Sequence, residues 1–232
     1  MINPFRYFKT SPEVIRLAVM MYIRFPLSLR QVEDLLHERG IDICHETVRA
    51  WWNRFGPLFA GEIRKKRSAS MRTHIQWRWH LDEVFVRING DIYYLWRAVD
   101  HEGEVLEVFV TKYRDRKAAL RFLRKAMKRY GRPEAIVTDK LRSYHAAMKV
   151  IGNADRQETG RRLNNRAENS HQPFRRRERA MAKFRSAKSL QKFASIHASV
   201  HNHFNQERHL YDRNNFKLNR STALAEWRQL AT

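Results

Sequence analysis

Apolar and polar residues follow a helical period through the first sixty positions of this chain. Ile15, Ala18, Val19, Tyr22 and Ile23 share one face behind Ser11-Pro12-Glu13, a start signal, and Pro26 stops the run. A second helix opens at Ser28 with Gln31 three residues on, buries Leu29, Val32, Leu35 and Leu36, and ends at Gly40. A third carries Val48, Trp51, Trp52 and Phe55 from a poor cap near Cys44. Two short helices after a supporting one resemble a helix-turn-helix, in which the second helix enters the major groove. A structural three-helix bundle fits the same pattern. If the module reads bases, the probes lie among His45, Glu46, Thr47, Arg49 and Asn53.

The period then changes. Trp77 to Ile88 is aromatic and β-branched, as strands are, and Asn89-Gly90 is a two-residue hairpin signal leading into a second strand, Asp91 to Asp100. Glu104 to Lys112 predicts a third strand. Behind the cap Asp115, a helix with Ala118, Ala119, Phe122, Leu123 and Ala126 on one face runs to Tyr130-Gly131, and the short strand Ala135 to Thr138 ends on Asp139. Three meandering strands, a crossover helix and a fourth strand form the opening of an RNase H-like mixed sheet. The predicted class is therefore α/β, a mixed sheet flanked by helices, preceded by a small all-α domain. The expected divisions are 1–60 for the helix-turn-helix, 61–75 for a basic linker around Arg64-Lys65-Lys66-Arg67, 76–210 for the α/β domain and 211–232 for a helical tail.

Charge sharpens this picture. The 46 basic and 24 acidic residues leave a formal charge of +22, which a compact fold retains for a polyanion, nucleic acid first. A single cysteine, Cys44, excludes an internal disulfide, and no run is long and apolar enough for a membrane span or signal peptide. A cytoplasmic, nucleoid-associated protein is expected.

Acids in the strand pattern carry the candidate chemistry. Asp82 sits mid-strand, where an unpaired carboxylate is costly. The first and fourth strands of such a sheet lie side by side, so Asp82 and Asp139 can meet. A helix starting near Asn165 places Glu168 where it can face the strand ends, with Glu158 and Glu178 as competitors. Asp100 falls opposite Trp79 in the hairpin register and reads as a turn acid. His197, His201, His203 and His209 lack a metal-site pattern and read as a packed or DNA-facing helix with Phe193, Ile196, Val200 and Phe204, whose apolar face is buried in the monomer or used as an interface. Between Arg161 and Lys192 eleven basic residues, Arg166, Arg175, Arg176, Arg177 and Arg179 among them, stand against two acids. Next to a phosphodiester site such a run contacts phosphates.

The stretches His-Leu-Asp-Glu around Asp82, Val-Thr-Asp around Asp139 and Asn-Asn-Arg-Ala-Glu-Asn around Glu168 resemble the three acidic signatures of DDE transposases. The resemblance is closest to insertion sequence family six, and also covers Asn3-Pro4-Phe5 and Tyr94 to Asp100. It implies a retroviral-integrase-like core in which Asp82 bridges two Mg2+ ions, replaceable by Mn2+, while Asp139 and Glu168 each complete one ion's shell. By the same resemblance Arg175 lies near DNA. The resemblance further implies that water frees a 3′ hydroxyl at the element's end and that this hydroxyl attacks double-stranded target DNA, and it favours a cointegrate product. The Asp139 to Glu168 interval is shorter than the commoner family spacing, which leaves the acid assignments standing but does not fix the length of the helix and last strand between them. A homodimer or larger homo-oligomer is expected, since two ends need two sites. A non-enzymatic DNA-binding regulator and an RNase H-like nuclease are the rival classes.

Overall fold

The computed structural model describes residues 3–71, 78–160, 163–181, 183–205 and 211–231, with backbone alone for 68–71. Trp77, Arg161 and His209 lie outside the described residues. Two compact units divide the chain: residues 1–65, 176–182 and 199–232 make the first, and 66–175 with 183–198 the second.

The first unit is helical. α1 (Pro12–Arg24) starts on Ser11, whose hydroxyl accepts from the Val14 amide. α2 (Leu29–His37) has the expected capping box: the Gln31 amide donates to the Ser28 hydroxyl at 3.1 Å, and the Ser28 amide to the Gln31 side chain at 2.7 Å. α3 (His45–Met71) is much longer than expected and takes in the stretch 61–71 assigned to a linker. The reason is that apolar positions persist at helical spacing, with Phe55, Phe59, Ala60 and Ile63 all buried, even though Pro57 removes one amide from the helix. Trp51 is buried in the core, and the half-buried Trp52 ring packs 5.5 Å from that of Tyr22.

The segment expected as a tail instead completes this unit. α8 (Arg213–Arg228) buries Trp227 against Phe59, ring centroids 5.3 Å apart, and against Phe204 at 5.6 Å. The Trp227 indole donates to the Arg16 carbonyl at 3.1 Å, and Arg16 Nε donates to the Leu230 carbonyl at 2.8 Å. The expected borders at 60, 75 and 210 therefore do not coincide with the two units. Arg177 also faces inward here: it is 1% exposed, donates to the Tyr22 carbonyl at 2.6 Å and stacks on that ring. It is withdrawn from the basic surface expected to meet DNA.

The second unit is built on a five-stranded sheet of order β3-β2-β1-β4-β5. β1 (Arg78–Ile88) and β2 (Asp91–Asp100) pair antiparallel through Asn89-Gly90, both at positive φ as a tight hairpin turn requires. All paired residue numbers sum to 179, so Trp79 faces Asp100 as expected. β3 (Val105–Thr111) extends the meander, and α4 (Arg116–Tyr130), capped by Asp115, crosses to β4 (Ala135–Thr138). β4 runs parallel to β1 but pairs only with Arg78 to His80. α5 (Arg142–Ile151) and β5 (Gln157–Thr159) fill the short interval before α6 (Asn165–Ala180), and α7 (Ala187–Phe204) follows. Trp79, Leu81, Trp96 and Ala98 pack one sheet face against Phe122 and Leu123 of α4 and Tyr144 and Met148 of α5. This is the RNase H-like mixed sheet expected. Among the described residues no helix is long and apolar enough to cross a membrane.

Candidate active site

β1 outruns β4, and the site lies where β4 stops. Carrying the ladder register, Arg78 beside Ala135 through His80 beside Val137, two residues further brings Asp82 opposite Asp139. Oxygens of Asp82, Glu83 and Asp139 lie within 4.8 Å of one another, the group among the described residues able to hold a metal ion. Strand alternation points Asp82 and Glu83 to opposite sheet faces, so the two carboxylates approach Asp139 from either side of the free edge.

That edge is covered by α6. The Asn164 side chain donates to the Leu81 carbonyl at 2.8 Å and Arg175 to the Phe85 carbonyl at 2.6 Å, so the helix runs alongside β1. Glu168 is roughly 6 Å along the helix from Asn164, and position 83 roughly 7 Å along the strand from Leu81. Glu168 is thus level with the two strand acids. It is solvent-exposed and does not belong to the group that closes within 4.8 Å.

Each buried acid has a cation or a polar neighbour. Arg97, fully buried and directly opposite Asp82 on β2, donates to the Ser170 carbonyl; burial lowers its pKa to about 10, with Asp82 opposing the shift. His171, one helical turn after Glu168, has Nε2 3.2 Å from Asp82 Oδ2. Burial pushes its pKa down to about 4, so the imidazole is neutral at pH 7. Glu83, its side chain 2% exposed, receives Arg114 Nε at 2.7 Å and lies beside the Tyr144 hydroxyl. Burial raises its pKa to about 7 despite both neighbours. Arg114 Nη2 also stands 3.7 Å from Asp139 Oδ2, and Asp139 Oδ1 accepts from the Leu141 amide at 3.0 Å.

Sequence reasoning placed Asp82 and Asp139 together and missed Glu83, Arg97, Arg114 and His171. The hairpin register already contained Arg97, since it pairs with Asp82. Arg114 joins the site through tertiary packing that no local pattern shows. Of the competitors, Glu158 is employed elsewhere, binding Arg78 at 3.1 Å. Asp100 is a turn acid as expected, accepting from the Glu102 and Glu104 amides at 2.9 Å each. Among the histidines, His197 is buried between Phe174 and Phe193, and the His203 ring sits 2.8 Å from the Ala223 carbonyl. None of the described ones joins a metal-binding group. An all-oxygen donor set with a desolvated carboxylate suits a hard divalent cation.

In the other unit, the residues open to solvent in the first three turns of α3 are Glu46, Arg49, Ala50, Asn53 and Arg54. Of the expected probes, His45 is tied down, with its backbone amide 3.0 Å and its ring Nδ1 2.7 Å from Glu33 Oε2, and Thr47 contacts Cys44.

The family model described as a DDE domain matches residues 76–207. The transposase for insertion sequence-like element IS431mec of Staphylococcus aureus strain Mu50 is 32% identical over 196 residues, covering 82% of this chain and 85% of that protein. The transposase for insertion sequence element IS257 in transposon Tn4003, also from Staphylococcus aureus, is 31% identical with the same coverage. Among solved structures, a simian T-cell lymphotropic virus intasome in complex with PP2A regulatory subunit B56 gamma is 16% identical with a TM-score of 0.38, covering 55% of this chain and 48% of that one. With a DDE domain across more than half its length, a relative 32% identical over 82% of the chain and two aspartates meeting at the end of β4, the chain belongs to the DDE transposases of insertion sequence family six, enzymes that depend on divalent metal.

Proposed function

We propose that this transposase binds the terminal inverted repeats of its element through α2 and α3, cuts the 3′ ends and joins them to double-stranded target DNA, using Asp82, Asp139 and Glu168. The observation that carries the reading is the meeting of Asp82 and Asp139 beyond the last residue of β4. Glu168 is the third ligand because it is exposed, level with the pair and on a helix that follows the open edge. Glu83 is held by Arg114 and is too desolvated to lead. Asp82, Asp139 and Glu168 would hold two Mg2+ ions, for which Mn2+ would substitute, and bound there the ions would supply the positive charge that activates an attacking oxygen and stabilises a leaving one. Arg97 and His171 orient the Asp82 carboxylate. Arg166 and Arg175 in one unit, and Arg176 and Arg179 in the other, serve DNA phosphates. Arg49 and Asn53 are the base-reading candidates on α3. Family resemblance favours a cointegrate product.

The test is cleavage and joining of labelled end duplexes in Mg2+. Asp82→Asn, Asp139→Asn and Glu168→Gln should each fall below detection while still binding ends, and chelation should do the same to the wild type. Glu83→Gln should retain activity, lowered about 10–100-fold as for a group supporting a metal ligand. Activity in Glu168→Gln together with none in Glu83→Gln would move the third ligand to Glu83. Unimpaired cleavage by Asp82→Asn would overturn the acid assignment, and a wild type that binds ends but cuts nothing in Mg2+ would favour a regulator.

A further inference from the structure

Alternate residues of β1 pass from the core to open solvent on the face that α4 and α5 cover. Leu81 is fully buried, Glu83 lies at the rim, and Phe85 is 57% exposed. Two residues advance a strand roughly 7 Å, so the Phe85 ring begins within one such step of Glu83, which shares its face. Tyr94 is its direct cross-strand partner and stands beside it on the same face. Phe85, Tyr94, Val84 and Glu83 line a cleft of about 260 Å³ together with Arg114 and Arg175. Arg175 fixes the platform by donating to the Phe85 carbonyl, its guanidinium carbon 5.8 Å from the ring centroid. Arg114 reaches from the cleft to Glu83 and Asp139.

We propose that this cleft takes one unstacked nucleotide of the element-end strand, next to the phosphate that is cut. The proposal rests on the strand-cleavage reading above. Three features select this occupant. An exposed phenylalanine beside a tyrosine offers a π face, which any base can use without sequence readout. Two arginines at the cleft supply the positive charge that a phosphate requires and that an apolar peptide would not. Glu83 at one end of the cleft has a carboxylate oxygen within 4.8 Å of those of Asp82 and Asp139, which sets the nucleotide's phosphate next to the reacting position. A paired base keeps its faces against its neighbours, so the nucleotide must leave the stack to lie on Phe85, as bases presented to enzymes commonly do.

The experiment couples the ring to the base. End duplexes carrying a single abasic nucleotide at each position around the cleavage junction are cut by wild type, Phe85→Ala and Phe85→Trp, and their affinities are measured in parallel in Ca2+. On intact DNA, Phe85→Ala should lose about tenfold in both readouts, the size of one stacked base, and Phe85→Trp should stay within about twofold of wild type. At one abasic position the wild type should fall to the level of Phe85→Ala and the difference between them disappear. A cost of Phe85→Ala that is the same on every abasic duplex, or no cost on intact DNA, would overturn the proposal, as would equal losses in Phe85→Ala and Phe85→Trp. If the wild type cut nothing, the proposed reaction would fail, and the affinities would still decide the cleft by the same coupling.

Discussion

Buried carboxylates need an answer to their charge, and the second unit gives four of them different ones. Glu107, 5% exposed, takes Lys125 at 3.1 Å and Arg129 at 2.9 Å. Asp82 has Arg97 and His171, and Glu83 has Arg114. Asp100, 1% exposed, has two backbone amides on one oxygen, and burial raises its pKa to about 6. This predicts a direction for stability. Below the ordinary aspartate range Asp100 is protonated folded or unfolded, and its contribution is fully present. As pH rises through about 6 the unfolded chain has already released the proton, the folded one must bury a charge, and the contribution is lost. Asp100→Asn keeps an oxygen for both amides and removes the titration. The variant should match wild type near pH 4 and be more stable at pH 7.5 by up to about 3 kcal/mol. Denaturation at pH 4, 5.5 and 7.5 measures this, and parallel pH profiles for the two proteins would contradict it.

The start of α3 shows how an element can be capped from elsewhere in the chain. Cys44 is a poor cap, and Glu33 from α2 takes the role, accepting the His45 amide while holding the His45 ring. A carboxylate at this end also answers the helix dipole. Glu33→Ala should fray the first turn, where Glu46 holds Arg49 at 2.9 Å, and weaken binding to end DNA several-fold while sparing binding to random duplex. Competitive binding measurements test it; equal losses on both DNAs would remove α3 from end recognition. Elements fixed by local chemistry were legible in the sequence: the Ser28 box, the Asn89-Gly90 hairpin with its register, the Asp115 cap and β4. The Asp82 and Asp139 encounter was legible because register and topology suffice to place it. What the sequence hid depends on distant partners. α3 continues past Gly61 because its apolar face has neighbours to pack on. β5 is three residues long, too short to show a period. Arg177 lies in a basic run like its neighbours, and only the fold turns it toward Tyr22.

At the scale of the whole chain, the first unit is closed by both of its ends, since Trp227 and Leu230 pack with α1 and α3. Removing residues 1–60 would expose that surface, so end recognition is better tested by substitutions on α3 than by truncation. The same packing changes the account of self-association. Phe193, Ile196, Val200, Phe204 and Trp227 are all buried within the chain, which takes them out of the reckoning as a ready interface. Stoichiometry still calls for an oligomer. Joining two element ends to one target needs two acidic centres, and among the described residues the chain holds one group of this kind. Symmetric homo-oligomers are the usual means of doubling a site. Mixing wild type with Asp82→Asn, which should bind ends without cutting, tests it. If two active subunits are required, concerted two-end joining should fall as roughly the square of the wild-type fraction, to about a quarter in an equal mixture, while single-end cutting falls in proportion. Two-end joining that fell only in proportion, from a paired-end complex containing one copy of the chain, would refute the dimer.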